Sequence, residues 1–206
     1  MNAAVLAGGK GRRAGHRSKP LIQISDGLRL IDLIIARLKE SCCFEKILVV
    51  GEPTLITSGA EVFADCEEFA GCGVLGGLLS ALVISDKDWN FVCGCDMPFI
   101  EPQLIRFLKE RVDDGYDVVF PQWGGYAEPL FAFYNRRVIE AGRRLIFDRN
   151  YSLTSLIKAV RSLPVEEALL RGADEELLSF FNINTDADIK RAREIWAGRS
   201  TPLDGD

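Results

Sequence analysis

Ala3-Ala4-Val5-Leu6-Ala7-Gly8-Gly9-Lys10-Gly11-Arg12-Arg13-Ala14-Gly15-His16-Arg17-Ser18-Lys19-Pro20 starts almost at the first residue, and its reading decides the fold. Residues 3–6 read as a short buried strand, after which the stretch from Gly8 to Lys19 breaks all periodicity. That loop holds four glycines and five lysines and arginines. Glycines let backbone N–H groups approach an anion without a Cβ in the way, and Arg12, Arg13 and Lys19 add charge-assisted hydrogen bonds suited to a triphosphate. It is not a Walker loop, because no glycine is followed by Lys and then Ser or Thr at the required spacing. Gly9-Lys10-Gly11 begins like a dinucleotide fingerprint, but Arg12-Arg13 suits no helix opening against a sheet. The bland alternative is a solvated basic turn.

Outward from this loop, strands and helices alternate. Leu30, Leu33, Ile34 and Leu38 recur at helical spacing, and Ile47-Leu48-Val49-Val50 ends as a buried strand at Gly51. A strand over 61–64 leads through the glycine-rich 71–77 into a helix carrying Leu78, Leu79, Leu82 and Val83. Residues 89–95 form another apolar strand, stopping at Asp96 and Pro98, and 101–112 are helical. In the second half, 117–121, 130–134 and 180–183 read as strands, and 135–146, 153–160 and a terminal stretch through Ile189, Ala192 and Trp196 as helices. This alternation predicts a Rossmann-like three-layer α/β/α fold whose mostly parallel sheet binds ligands beyond the carboxyl ends of its strands, with Gly8-Gly9 and Asp96 at the same edge. Connections are short, so one domain over 1–199 is expected, followed by a flexible polar tail over 200–206.

Composition narrows the function classes. A chain of 206 residues that is 48% hydrophobic can bury a substantial core. Its net charge of -5, from 30 acidic and 25 basic residues mixed along the chain, gives no single-sign field for wrapping nucleic acid. No apolar run reaches spanning length and no signal core follows Met1, so a cytoplasmic protein away from membranes is expected. His16 is the only histidine, which removes histidine-pair metal sites. Cys42, Cys43, Cys66, Cys72, Cys93 and Cys95 read mostly as small buried hydrophobes, with Cys93 and Cys95 expected on opposite faces of their strand.

Asp96, ending a buried strand, is the candidate metal ligand, since Mg²⁺ takes one or two carboxylates plus substrate phosphates. The alternative is a cap for the helix near Glu101. Asp65 follows a strand and precedes the glycines 71–77, Gly76 among them, where the backbone can approach a base or ribose and the carboxylate can accept from a base amino group. Its alternative is an ordinary turn carboxylate. In Asn182-Ile183-Asn184-Thr185-Asp186, strand alternation sends both asparagines to one side, and Thr185 with Asp188 makes a capping-box variant.

Leu6-Ala7-Gly8-Gly9 with Arg13-Ala14-Gly15 and Lys19, Gly73-Val74-Leu75-Gly76-Gly77, Cys95-Asp96-Met97-Pro98 and Asn182-Ile183-Asn184-Thr185 together resemble the molybdenum cofactor guanylyltransferase family, in the right order from residue 3 to about 196. The resemblance implies nucleotide contacts from Leu6, Ala7, Gly8, Gly9, Arg12 and Gly76, phosphate binding by Lys19, guanine recognition by Asp65 and Mg²⁺ at Asp96. It implies catalytic roles for Lys19, Arg13 and Asp96, and acceptor contacts from Asn182 and Asn184. The implied reaction moves GMP from GTP to the terminal phosphate of a molybdopterin-type cofactor and releases pyrophosphate, with passing contact to a molybdoenzyme or its chaperone. Ala14 stands where Met is usual, Val74 where Pro is usual, and Ala127-Glu128 where His or Arg often precedes Pro129-Leu130. Related cytidylyltransferases open Leu-Ala-Ala-Gly, so Gly8 points toward guanine. The competing readings are transfer to a sugar or polyol phosphate, and a GTP-binding adaptor without turnover.

Overall fold

A computed structural model describes residues 1–8 and 18–200 of the chain. Gly9, Arg12, Arg13 and the tail past Ser200 lie outside the described residues. The first half runs β1 (Asn2–Leu6), a small hairpin of β2 (Gln23–Ser25) and β3 (Leu28–Arg29), α1 (Leu30–Glu40) and β4 (Ile47–Val50). It continues through β5 (Glu61–Phe63), α2 (Gly73–Ile84), β6 (Trp89–Gly94) and α3 (Pro102–Lys109). The second half adds β7 (Val118–Trp123), β8 (Tyr126–Ala127), β9 (Phe131–Asn135), α4 (Val138–Phe147) and α5 (Leu153–Ala159). β10 (Ser162–Glu166), α6 (Glu167–Leu170) and α7 (Asp186–Ser200) complete it.

Among the described residues the main sheet has eight strands, seven of them in the order β10-β7-β9-β6-β1-β4-β5 with β8 paired to β7. β1, β4, β5 and β6 are mutually parallel, β9 runs antiparallel to both β6 and β7, and β10 is parallel to β7. Strand pleating sends alternate residues to opposite faces. Ala3, Val5, Phe91 and Cys93 join the core beneath α1, α3 and α7, while Ala4, Leu6, Leu48, Val50 and Val92 join the core beneath α2, α4 and α5. Both faces are therefore covered, which explains why the central strands read as unbroken apolar runs rather than alternating ones. Among the described residues no helix is long and apolar enough to cross a membrane.

The structure departs from the sequence reading at several places. Residues 180–183 do not form a strand: Leu178–Phe180 is a 3-10 turn, and Leu177 before it takes a left-handed φ of 53°. The Asp174 carboxylate accepts from the N–H groups of Leu178 and Ser179 at 3.2 and 2.9 Å, which holds that turn. Residues 135–137 finish β9 and turn before α4 begins at Val138. β10 went unread because Pro164 argues against a strand, but it lies at the sheet edge, where a missing N–H is tolerated. Cys93 and Cys95 share one core cluster rather than opposite faces, because residues two apart on a strand repeat the same side. All six cysteines are free. Burial drives the Cys93 thiol upward and the Cys95 thiol up to about 12, so both stay protonated and inert.

Candidate active site

β1 and β6 are neighbours in register, Leu6 opposite Gly94, so the two segments that leave their carboxyl ends start side by side. Backbone bonds tie this junction together: Cys95 N–H donates to Leu6 O at 3.1 Å, and Ala7 N–H to Val50 O at 2.8 Å. A Cβ on Gly51 would lie 3.0 Å from the Ala7 Cβ, so the chain after β4 also closes on the first loop. Leu6 is buried, Ala7 half-buried and Gly8 exposed, a progression from sheet to ligand edge.

Lys19 opens a 3-10 turn, Lys19–Leu21, anchored by the buried ring of Pro20. From there its ammonium donates to Asp96 Oδ2 at 2.8 Å and to Asn184 Oδ1 at 3.0 Å. The side chains of Lys19 and Asp96 are 25% and 21% exposed, so the pair is shielded but open to a ligand. Asp96 is not the cap of α3, because Glu101 does that by accepting from Gln103 N–H at 3.3 Å. The other Asp96 oxygen, Oδ1, folds over Gly94, where a Cβ would come within 2.5 Å of it.

The main-chain oxygen of Asp96 accepts from Ile183 N–H at 2.8 Å, which brings the 182–185 turn onto the end of β6. Phe180 stacks on Trp123 at 5.5 Å and meets Phe131 edge-on at 5.5 Å, packing the start of that turn against the sheet. The expected capping box is present: Asp188 N–H donates to Thr185 Oγ1 at 3.2 Å, and Thr185 N–H to Asp188 Oδ2 at 2.7 Å. Of the two asparagines only Asn184 reaches Lys19. Asn182 instead donates to Phe180 O at 3.0 Å within the turn.

Asp65 leaves β5 at the same edge, on the far side of β1. Its Oδ1 and both Leu6 methyls lie 3.7–3.8 Å from where a Gly77 Cβ would stand, so Asp65, Leu6 and the backbone of Gly77 are neighbours at this edge. Gly71 and Gly73 turn into α2 with φ of 80° and 62°, angles that side chains rarely adopt. Gly76 is buried with a packing reason of its own, since a Cβ there would come 2.4 Å from Phe69 O. Asp65 has no hydrogen-bond partner among the described residues, and desolvation by its surroundings raises its pKa.

A half-buried carboxylate that the sequence reading passed over, Glu128, lies on the β9 side of Asp96. Burial and then the negative charge of Asp96 push its pKa up against a bond from Leu130 N–H. The signal for it was the acid in Ala127-Glu128-Pro129-Leu130, the position where His or Arg often stands.

Among the described residues no group of three or more histidines, cysteines and carboxylates could cage a metal. A lone strand-end carboxylate still fits Mg²⁺, which takes one or two carboxylates plus substrate phosphates: Lys19 occupies Asp96 Oδ2, and Oδ1 makes no hydrogen bond among the described residues.

A family model described as the MobA-like NTP transferase domain matches residues 3–167. A molybdenum cofactor guanylyltransferase of Desulfosudis oleivorans is 32% identical over 203 residues, covering 97% of this chain and 98% of the relative. The crystal structure of molybdopterin-guanine dinucleotide biosynthesis protein A from Archaeoglobus fulgidus superposes with a TM-score of 0.80 at 29% identity, over 96% of this chain and 100% of that one. A 2-C-methyl-D-erythritol 4-phosphate cytidylyltransferase from Thermus thermophilus shares the fold alone, with a TM-score of 0.65 at 14% identity over 94% and 98% of the two chains. With the lysine, the strand-end aspartate and the terminal asparagine turn gathered at one sheet edge, and a match of this extent, the chain belongs to the MobA-like NTP transferase family.

Proposed function

We propose that the chain is a molybdenum cofactor guanylyltransferase, transferring GMP from GTP to the terminal phosphate of a molybdopterin-type cofactor. The observation that carries this reading is the Lys19 ammonium held between Asp96 and Asn184 at the joined ends of β1 and β6. The full-length similarity to a guanylyltransferase supports the choice of base and acceptor.

An oxygen of the acceptor phosphate attacks the α-phosphorus of GTP, and the bond from that phosphorus to the bridging oxygen of pyrophosphate breaks. The nucleophile is already anionic, so no general base is required, which suits a chain with one histidine. Lys19 neutralises charge that builds on the departing pyrophosphate, assisted by Arg12 and Arg13 of the basic loop. Asp96 would hold Mg²⁺, which supplies charge neutralisation on the triphosphate when bound. Leu6, Ala7, Gly8 and Gly9 line the nucleotide, Asp65 accepts from the guanine amino edge, and Asn182 and Asn184 face the acceptor. The product would pass to a molybdoenzyme or its chaperone in the cytoplasm.

The test is incubation of the protein and Mg²⁺ with each labelled nucleoside triphosphate and a panel of acceptors: molybdopterin, sugar phosphates and polyol phosphates. Pyrophosphate release with GTP and molybdopterin alone is the expected result. Release with a sugar or polyol phosphate instead reassigns the acceptor, and tight GTP binding without release from any pair makes the protein an adaptor.

A further inference from the structure

The family model ends at residue 167, yet one of the two side chains that take the Lys19 ammonium, Asn184, comes from the segment beyond it. Asp188 Oδ2 accepts three bonds, from Asn184 N–H at 2.9 Å, Thr185 N–H at 2.7 Å and Thr185 Oγ1 at 2.9 Å. A helix cap explains the exchange with Thr185. The bond to Asn184 N–H does more, because it fixes the peptide group of the residue whose side chain takes the lysine. Further along α7, Arg193 donates through Nε and Nη2 to Gln23 O at 3.1 and 2.9 Å. Gln23 is bound to Lys19 by a short, stiff stretch: Ile22 N–H donates to Lys19 O at 3.1 Å, and Leu30 N–H to Ile22 O at 2.8 Å. The 19–23 segment is thus gripped at both ends by one helix, at Lys19 through Asn184 and at Gln23 through Arg193.

A lysine has a flexible four-carbon stem, and an ammonium placed without support samples many rotamers. A displacement of about 1 Å in a charge-stabilising group can cost about 100-fold in rate. We propose that Asp188 and Arg193 are positioning residues that hold the Lys19 ammonium at Asp96, so that the segment beyond the matched domain completes the phosphate site. The inference rests on the reading of Lys19 as the phosphate-binding lysine. Neither residue touches substrate; each acts through a neighbour.

The experiment is a set of double-mutant cycles on the full chain with GTP and Mg²⁺, measuring GTP affinity by calorimetry and turnover with molybdopterin. Asp188→Ala, Asp188→Asn and Arg193→Ala are each made with Lys19 present and in a Lys19→Ala background. With Lys19 present, Asp188→Ala should weaken GTP binding about 10-fold and Arg193→Ala about 3-fold, and both losses should shrink below about 2-fold once Lys19 is gone. Asp188→Asn should recover most of the affinity, since its amide oxygen still accepts the two backbone N–H groups. Thermal melts accompany each variant, and if Asp188→Ala unfolds, Arg193→Ala, a surface change, carries the test. Equal losses in both backgrounds, or no loss in folded variants that keep Lys19, overturn the proposal and leave the lysine's role intact. A Lys19→Ala protein that binds GTP like the parent overturns the lysine's role, and the proposal with it.

Discussion

The two walls of the site are built on different terms. At the Lys19–Asp96–Asn184 corner every charged group already has a partner, and backbone bonds from Ile183 and Asn184 hold the turn that closes it. At the Leu6–Asp65–Gly77 corner the carboxylate has no hydrogen-bond partner among the described residues and stands beside Leu6 and Gly77. A triphosphate brings strong charge, which demands fixed counter-charges from the outset. A base brings flat surface and a few hydrogen-bond donors, for which an apolar neighbour and one unsatisfied acceptor are enough. The difference teaches that the charged corner is preorganised, whereas the corner proposed to read the base holds a carboxylate without a partner among the described residues.

If that division holds, damage at the two walls should differ in kind. The largest effect is expected from Asp96→Asn, which should lower turnover by about 1000-fold in steady-state assays while the melting temperature stays near that of the parent. A loss under about 10-fold would remove Asp96 from the chemistry. Lys19→Met should follow at about 100-fold, read as loss of turnover together with weaker GTP binding. Asp65→Ala should act on choice rather than speed. The parent should prefer GTP over inosine triphosphate, which lacks the 2-amino group, by about 10-fold or more in kcat/KM, and the variant should lose that preference.

The smallest effect concerns stability and its pH dependence. Desolvation raises the Asp65 pKa in the folded protein, so the ionised carboxylate is less favourable there than in the unfolded chain. The resulting cost is absent below the unfolded value of about 3.9 and is complete above the raised folded value. Asp65→Asn should therefore raise the melting temperature slightly near neutral pH and leave it unchanged in strong acid. Asp117 behaves in the opposite sense. Burial alone would raise its pKa, but hydrogen bonds from Arg161 and Arg137 outweigh it and leave the carboxyl lowered. Its stabilisation is present above the unfolded value and is lost as pH falls through the depressed folded value. Because Asp117 lies under the start of β7, away from both walls, Asp117→Ala should cost about 2–3 kcal/mol in denaturant melts with base preference intact.

Much of this arrangement was legible in the sequence, and the parts that were not share a cause. β1, β4 and β6 were readable because strands buried on both faces must be apolar throughout, and Asp96 was readable because a charge ending such a run needs a reason. The basic loop and Lys19 stood out by composition. The 180–183 run was misread because three apolar residues around Asn182 fit a strand or a packed turn equally well, and only the Asp174 cap and the Trp123 stack decide between them. The same error made Asn182 and Asn184 look equivalent, whereas the turn sends only Asn184 to a lysine 165 positions away. Gly76 and Gly77 read alike in one glycine-rich stretch, although a Cβ at Gly76 would strike a carbonyl and one at Gly77 would meet Asp65 and Leu6 at ordinary contact distance. Distinctions of that kind depend on contacts between distant segments, which local spacing does not encode.

The most direct test is a crystal structure of the protein with Mn²⁺ and a GTP analogue whose α–β bridge cannot be cleaved, with the metal located by its anomalous signal. The expected result is Mn²⁺ on the Asp96 carboxylate, the Lys19 ammonium on the phosphates and the guanine beside Asp65. Phosphates bound away from the ends of β1 and β6, with Lys19 and Asp96 still paired only to each other, would contradict it.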